Sequence, residues 1–190
     1  MKQLIAIGLF FTLLITAMSC SKNYLDQVPQ DRTTIEQVFA HKSTVDNYLA
    51  NVYSYIRDEA SQRYIGGSTS GGPWTGGTDE AEYDWSFVFS NYMNVGSWGP
   101  TSGVVNDFWQ GYYTGIRSAT YFMQHVGECK EITDQPNGAQ LLARYMGEAR
   151  ALRAYYYYNL LKLFGPIPII GDDIIAPDAP LGDVQLARKP

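Results

Sequence analysis

One stretch limits the possible folds more than any other. From about Ala139 to Phe164 apolar residues return every three or four positions, and Gly165 and Pro166 follow directly. Leu142, Tyr145, Met146, Ala149, Leu152, Tyr156, Leu160 and Leu163 share the 3.6-residue period, so the spacing predicts a long α-helix. Tyr155, Tyr156, Tyr157 and Tyr158 add rings on every side. A helix that is apolar or aromatic all round belongs at the centre of its domain. Gly165 then supplies an αL cap and Pro166 cannot continue the helix.

A second stripe precedes it. Val105, Phe108, Trp109, Tyr112, Ile116, Ala119, Met123 and Val126 predict a helix from about Val104 to Val126, with Gly127 as its C-terminal stop. A polar turn over Asp134–Gly138 separates the two, so they are expected to pack on each other and to carry most of the stability. They could pair as a helical hairpin of the tetratricopeptide sort, although no 34-residue self-similarity is visible. Nearer the N-terminus, Thr33 with Glu36 reads as a capping box opening a short helix through Phe39. Ser43 or Thr44 then caps a helix reaching about Ile56, with Val45, Tyr48, Leu49, Val52 and Ile56 on its buried stripe. Between Asp58 and Thr101 the periodicity is lost. Gly66, Gly67, Gly71, Gly72, Gly76 and Gly77 punctuate a segment that also holds Trp74, Tyr83, Trp85, Tyr92 and Trp98. A loop of that length in a compact domain is usually functional or mobile. The remainder, Ile167–Pro190, is rich in Pro and Asp, carries a short apolar run at Ile167–Ile170, and shows no further domain.

The first residues have a different purpose. Lys2 precedes an apolar run from Leu4 to Met18, and Ser21, Lys22 and Asn23 follow at once. A membrane-spanning helix needs roughly 20 apolar residues, so the run reads as a signal peptide over residues 1–19. Ala17, Met18, Ser19 and Cys20 resemble a bacterial lipobox, in which the cysteine is acylated; an ordinary secretory signal cut near Ser19 is the alternative. Two or three acyl chains anchor stably where one is marginal. With Cys20 lipidated, Cys129 is the one remaining thiol of the two in the sequence, so no intrachain disulfide can form. Cys129 is expected to be a small, semi-buried residue near a helix end.

Charge and motifs exclude several functions. The net charge is −5 with a pI of about 4.9 and no basic cluster, which argues against nucleic acid as a partner. No Lys follows the glycines of the loop, so there is no phosphate-binding motif. His41 and His125 have no Cys or carboxylate at ligand spacing, and no metal site is expected. Asp79, Glu80, Glu82 and Asp84 could supply the paired carboxylates of a glycosidase, or form a solvated, hydrogen-bonding rim. Arg144 with Glu148 reads as a helix-surface ion pair.

The chain resembles the SusD/RagB family of nutrient-uptake proteins. The cysteine followed by Tyr24-Leu25-Asp26 and Pro29, the GTDEAE segment Gly77–Glu82, Phe108-Trp109 with Tyr112 and Ile116, and GEARALRAYYYYNLLKLFGPIPII over Gly147–Ile170 carry the resemblance, in that order along the chain. It implies a mostly α fold of tetratricopeptide-like helix pairs with long irregular loops, residues 20–190 forming a SusD-like N-terminal domain that is incomplete at its C-terminus. It also implies a cell-surface lipoprotein of Bacteroidetes type, held in the outer membrane by its lipid. Such a protein binds oligosaccharides or other nutrients as the lid of a TonB-dependent transporter (a SusC-like barrel), with no catalytic residue and no cofactor. Asp79 and Trp98 are the positional matches to the family's ligand contacts, and Trp74 and Tyr92 join them on chemistry, since a sugar's C–H face stacks on a ring while carboxylates and amides take its hydroxyls. These rings could instead plug the loop onto the helices. A helical protein-binding scaffold of the periplasm or outer membrane and a secreted glycosidase are the competing readings.

Overall fold

The structure, a computed structural model, describes residues 34–58, 74–175 and 188–189. The signal peptide and lipobox, the Thr33 cap and the glycines at 66, 67, 71 and 72 lie outside the described residues. All the described elements belong to one unit, Ile35–Pro190. In chain order they are α1 (Ile35–Val38), α2 (Lys42–Tyr53), α3 (Ser90–Asn94), α4 (Gly103–His125), α5 (Lys130–Thr133) and α6 (Gly138–Phe164), with the two-residue strands β1 (Ile167–Pro168) and β2 (Arg188–Lys189). The fold is mostly α-helical, as the periodicity and the family resemblance both imply.

Helices α4 and α6 form an antiparallel hairpin, and the ring contacts set its register. Trp109 meets Phe164 edge-on at 5.1 Å, Tyr112 stacks on Tyr156 at 6.0 Å, and Phe122 meets Tyr145 at 6.2 Å, so one numbering rises as the other falls. Helix α2 lies against both. Tyr48 stacks on Phe122 at 6.2 Å, the Tyr145 hydroxyl donates to the Asp46 carboxylate, and the Tyr156 hydroxyl donates to the Val52 carbonyl. Burial pushes the pKa of the Tyr156 hydroxyl up, which keeps it a donor at any ordinary pH. Phe108, Tyr112, Ile116, Phe122, Tyr156 and Leu160 are all essentially inaccessible and form the heart of the core.

Several details differ from the sequence expectation. Phe122, outside the predicted stripe, is fully buried, while Trp109 and Met123 are half-buried at its edge. Helix α6 is not enclosed all round: Tyr156 is buried, but Tyr158 is 61% exposed and Leu161 is exposed too, because α2 and α4 cover only one side of it. Tyr157 is held by the chain that follows, donating to the Ile170 carbonyl (2.8 Å) and accepting from its amide (3.0 Å). Helix α2 ends at Tyr53, which leaves Ile56 beyond the helix and exposed.

The helix ends differ as well. Neither Ser43 nor Thr44 caps α2, whose N-cap residue is His41 with no side-chain cap of its own. Thr44 donates backwards to the Val38 and His41 carbonyls. The cap comes from Glu131 at the start of α5, which accepts from the Lys42 amide and from His41 Nδ1, both at 2.8 Å. Ser102 caps α4, accepting from the Val105 amide. Gly127 has no positive φ; α4 passes instead into a 3₁₀ turn over Val126–Glu128. Gly165 does stop α6, at φ 66° and ψ −140°, a conformation outside αL that essentially only glycine adopts. Cys129 is free, fully buried, and opens α5. β1 and β2 pair antiparallel, Ile167 with Lys189 and Pro168 with Arg188.

Candidate ligand-binding cleft

From Trp74 onward the connection between α2 and α4 is irregular, and it is tied together by short-range backbone hydrogen bonds and by polar side chains on backbone carbonyls. A 3₁₀ turn at Thr75–Gly77 is closed by Thr78, whose hydroxyl donates to the Thr75 carbonyl at 2.9 Å. Asn94 reaches back from α3 to the Gly76 carbonyl at 2.9 Å. The Asn91 amide nitrogen bridges the Tyr83 and Trp85 carbonyls, 3.0 Å to each. Gly76 is required by close approach: a Cβ there would lie 2.6 Å from both the Tyr83 ring and the Ser90 hydroxyl. Buried Val88 gives the loop a small apolar anchor.

These ties leave a surface cleft of about 620 Å³, with Glu82, Asp84, Ser86, Asn91, Tyr92 and Ser97 among its lining residues. Asn91 spends its amide nitrogen on the loop, while its Oδ1 is buried without a hydrogen-bond partner among the described residues. An unsatisfied buried acceptor carries a desolvation cost that a ligand hydroxyl could relieve. On either side of Ser86, Trp85 and Phe87 stack nearly parallel, 5.6 Å apart at 11°, and stand 48% and 57% exposed. Large aromatics are normally buried, so an exposed stacked pair beside a polar cleft makes this surface the candidate for binding.

Of the four residues matched to ligand contacts from sequence, Tyr92 is the one lining this cleft, beside Glu82 and Asp84 of the acidic group; its ring is exposed and rests 5.6 Å from Phe89. Asp79 is exposed in the turn after the 3₁₀ segment. Trp74 and Trp98 come together elsewhere, both half-buried on the Phe108 ring at 6.5 and 6.1 Å. Trp74 also receives Lys162 over its face, with Nζ 3.7 Å from the centroid, a cation–π contact. These two tryptophans therefore plug the loop onto α4. Sequence reasoning missed Trp85, Phe87 and Asn91, although their aromatic and amide character within the loop was visible.

A second cleft, of about 540 Å³, lies along α4 between Trp109, Tyr113, Arg117 and the segment through Ile175. Two of its polar side chains are already committed to the chain: Tyr113 donates to the Pro168 carbonyl and Arg117 to that of Ile175, each at 2.7 Å. The two histidines are structural, His125 pairing with Glu128 at 3.1 Å and lying against Phe39, and His41 with Glu131.

The arrangement defines a helical scaffold that displays a polar, aromatic-flanked cleft on a long loop. The chain matches, over residues 23–188, the model of a SusD-like family described as starch-binding and associating with the outer membrane, and it belongs to that family. No curated protein and no solved structure gives a significant match.

Proposed function

We propose that this protein captures oligosaccharides at the outer membrane, in the cleft lined by Tyr92 and Asn91 and flanked by Trp85 and Phe87, and hands them to a TonB-dependent transporter for uptake. Membership of a starch-binding, outer-membrane-associated family supports the ligand class and the location. The exposed Trp85–Phe87 pair is the observation that carries the choice of cleft. A sugar ring laid on Trp85 would bury its C–H face, while Asn91 Oδ1 and the Glu82 and Asp84 carboxylates accept hydroxyl protons. The described lining holds two carboxylates and no basic side chain, which favours neutral glycans over uronate or sulfated ones. Trp74 and Trp98 then belong to the support of the cleft, and Asp79 stands outside its lining.

On this reading the protein is a binding module and not a hydrolase. Residues 1–19 direct export, Cys20 carries the lipid, and residues 20–190 form the SusD-like part that faces outward. Diacylglycerol on the mature N-terminal Cys20, seen by mass spectrometry, checks the anchor; a mature chain lacking Cys20 removes it. Calorimetric titration with soluble starch tests the site. Trp85→Ala should weaken binding by about 1 to 3 kcal/mol, the range of a well-placed aromatic contact, with no sugar released by wild type or variant. Unchanged affinity in Trp85→Ala would move the site away from this cleft, and steady release of reducing ends would replace binding with hydrolysis.

A further inference from the structure

A cation is buried beneath the loop that carries the cleft. The Arg57 side chain is 1% exposed, and its Nη2 donates to the Asp107 carboxylate at 2.9 Å and to the Asp107 carbonyl at 3.1 Å. The two residues stand 50 apart in sequence, Arg57 just beyond α2 and Asp107 in the first turns of α4, so their pair closes the base of the intervening loop. The same guanidinium lies over the Phe108 ring, 4.1 Å from its centroid, and 5.6 Å from that of Tyr112. Phe108 is the ring on which Trp74 and Trp98 rest, one before and one after the cleft segment.

Desolvating a guanidinium is expensive, and replacing a buried ion pair by apolar side chains is often neutral or stabilising. Stability alone therefore does not explain a charge at this position. Its geometry does more: one guanidinium nitrogen bonds both the carboxylate and the carbonyl of Asp107 while the flat face of the group lies over the Phe108 ring, and neither lysine nor an apolar residue supplies that planar cationic face. We infer that Arg57 is a positioning residue for the glycan cleft. It fixes Phe108 and the two ends of the loop, and through Trp74 and Trp98 it holds the cleft segment in the shape that binds. The inference rests on the proposed binding role of that cleft.

The test measures hydrogen exchange and soluble-starch affinity on the whole chain in parallel. The amides of Val88, Asn91, Tyr92 and Val95 report on the loop, because each donates to a loop carbonyl; those of Ala119 and Tyr156 report on the helices. Arg57→Met should accelerate the loop amides about tenfold and change the helix amides by less than about threefold, since local opening is separable from global unfolding. Starch affinity should fall about tenfold with it. Arg57→Lys, which keeps the charge and loses the planar face over Phe108, should give an intermediate loop acceleration. Equal acceleration of loop and helices, or an unchanged loop, overturns the inference. Should Arg57→Met fail to fold, the same ratio in Arg57→Lys decides. If wild type binds no starch the functional reading falls, while the exchange ratio still judges the clamp on its own.

Discussion

The helical triad and the loop at 74–101 are built on different terms. Helices α2, α4 and α6 hold one another through inaccessible side chains such as Tyr112, Phe122 and Tyr156, each large apolar group contributing about 1.5 to 3 kcal/mol by leaving water. The loop holds itself through Asn91, Asn94 and Thr78 on backbone carbonyls, where a net hydrogen bond is worth about 0.5 to 1.5 kcal/mol. Trp74 and Trp98, seated on Phe108, and Phe89, packed against the core, join the loop to the strong region through rings. A cleft carried on the weaker region can keep rings in solvent and polar atoms unsatisfied, because the stronger region supports it.

The comparison breaks most visibly at Phe122, which is fully buried and meets Phe39, Tyr48 and Tyr145. Phe122→Ala should cost about 3 to 5 kcal/mol in urea unfolding, the range for truncating a buried aromatic. A loss below about 1 kcal/mol would place the core elsewhere. Trp98→Ala sharpens the boundary between the regions. Because Trp98 is only half-buried, its removal should lower stability by about 1 to 3 kcal/mol, roughly half that range. An unchanged unfolding midpoint would return the ring to the ligand and undo its assignment as a plug.

The smallest effect lies at the N-terminus of α2, and it depends on pH. The hydrogen bond from His41, and then that from the Lys42 amide, hold the Glu131 carboxyl below its ordinary range. Desolvation raises Asp46, but the hydrogen bonds from Lys42 and Tyr145 outweigh it, so its carboxyl is also held low. A carboxyl depressed by folding contributes stability that is complete above its unfolded pKa, about 4, and is lost as pH falls through the folded value. Unfolding midpoints should therefore fall below about pH 4, and Glu131→Gln should flatten that acid limb. An acid limb identical in Glu131→Gln and wild type would show that the cap contributes nothing.

Much of the triad was legible in sequence. Tyr145, Ala149, Leu152, Tyr156 and Leu160 recur at helical spacing and all are buried on α6. Phe122 was missed because it adjoins Met123 at the edge of the stripe, and periodicity alone does not say which of two neighbouring apolar residues faces inward; the rings of Phe39, Tyr48 and Tyr145 decide it. The cleft was less legible. Among the loop's tryptophans composition is the same, and without a period to assign sides nothing distinguishes Trp85, which is exposed, from Trp98, which packs on Phe108.

By itself the sequence determined where the long helices run, that they pair, that Gly165 and Pro166 end α6, and that a glycine-rich aromatic segment precedes them. These are local matters, set by side-chain period and by the backbone freedom of a few residues. Tertiary structure alone decided that Glu131, 89 residues away, caps α2, that Arg57 clasps Asp107 across the loop, and which rings are plugs and which face water. Each of these depends on a partner distant in sequence, and a side chain's identity states what it can bond but not what the folded chain will place beside it.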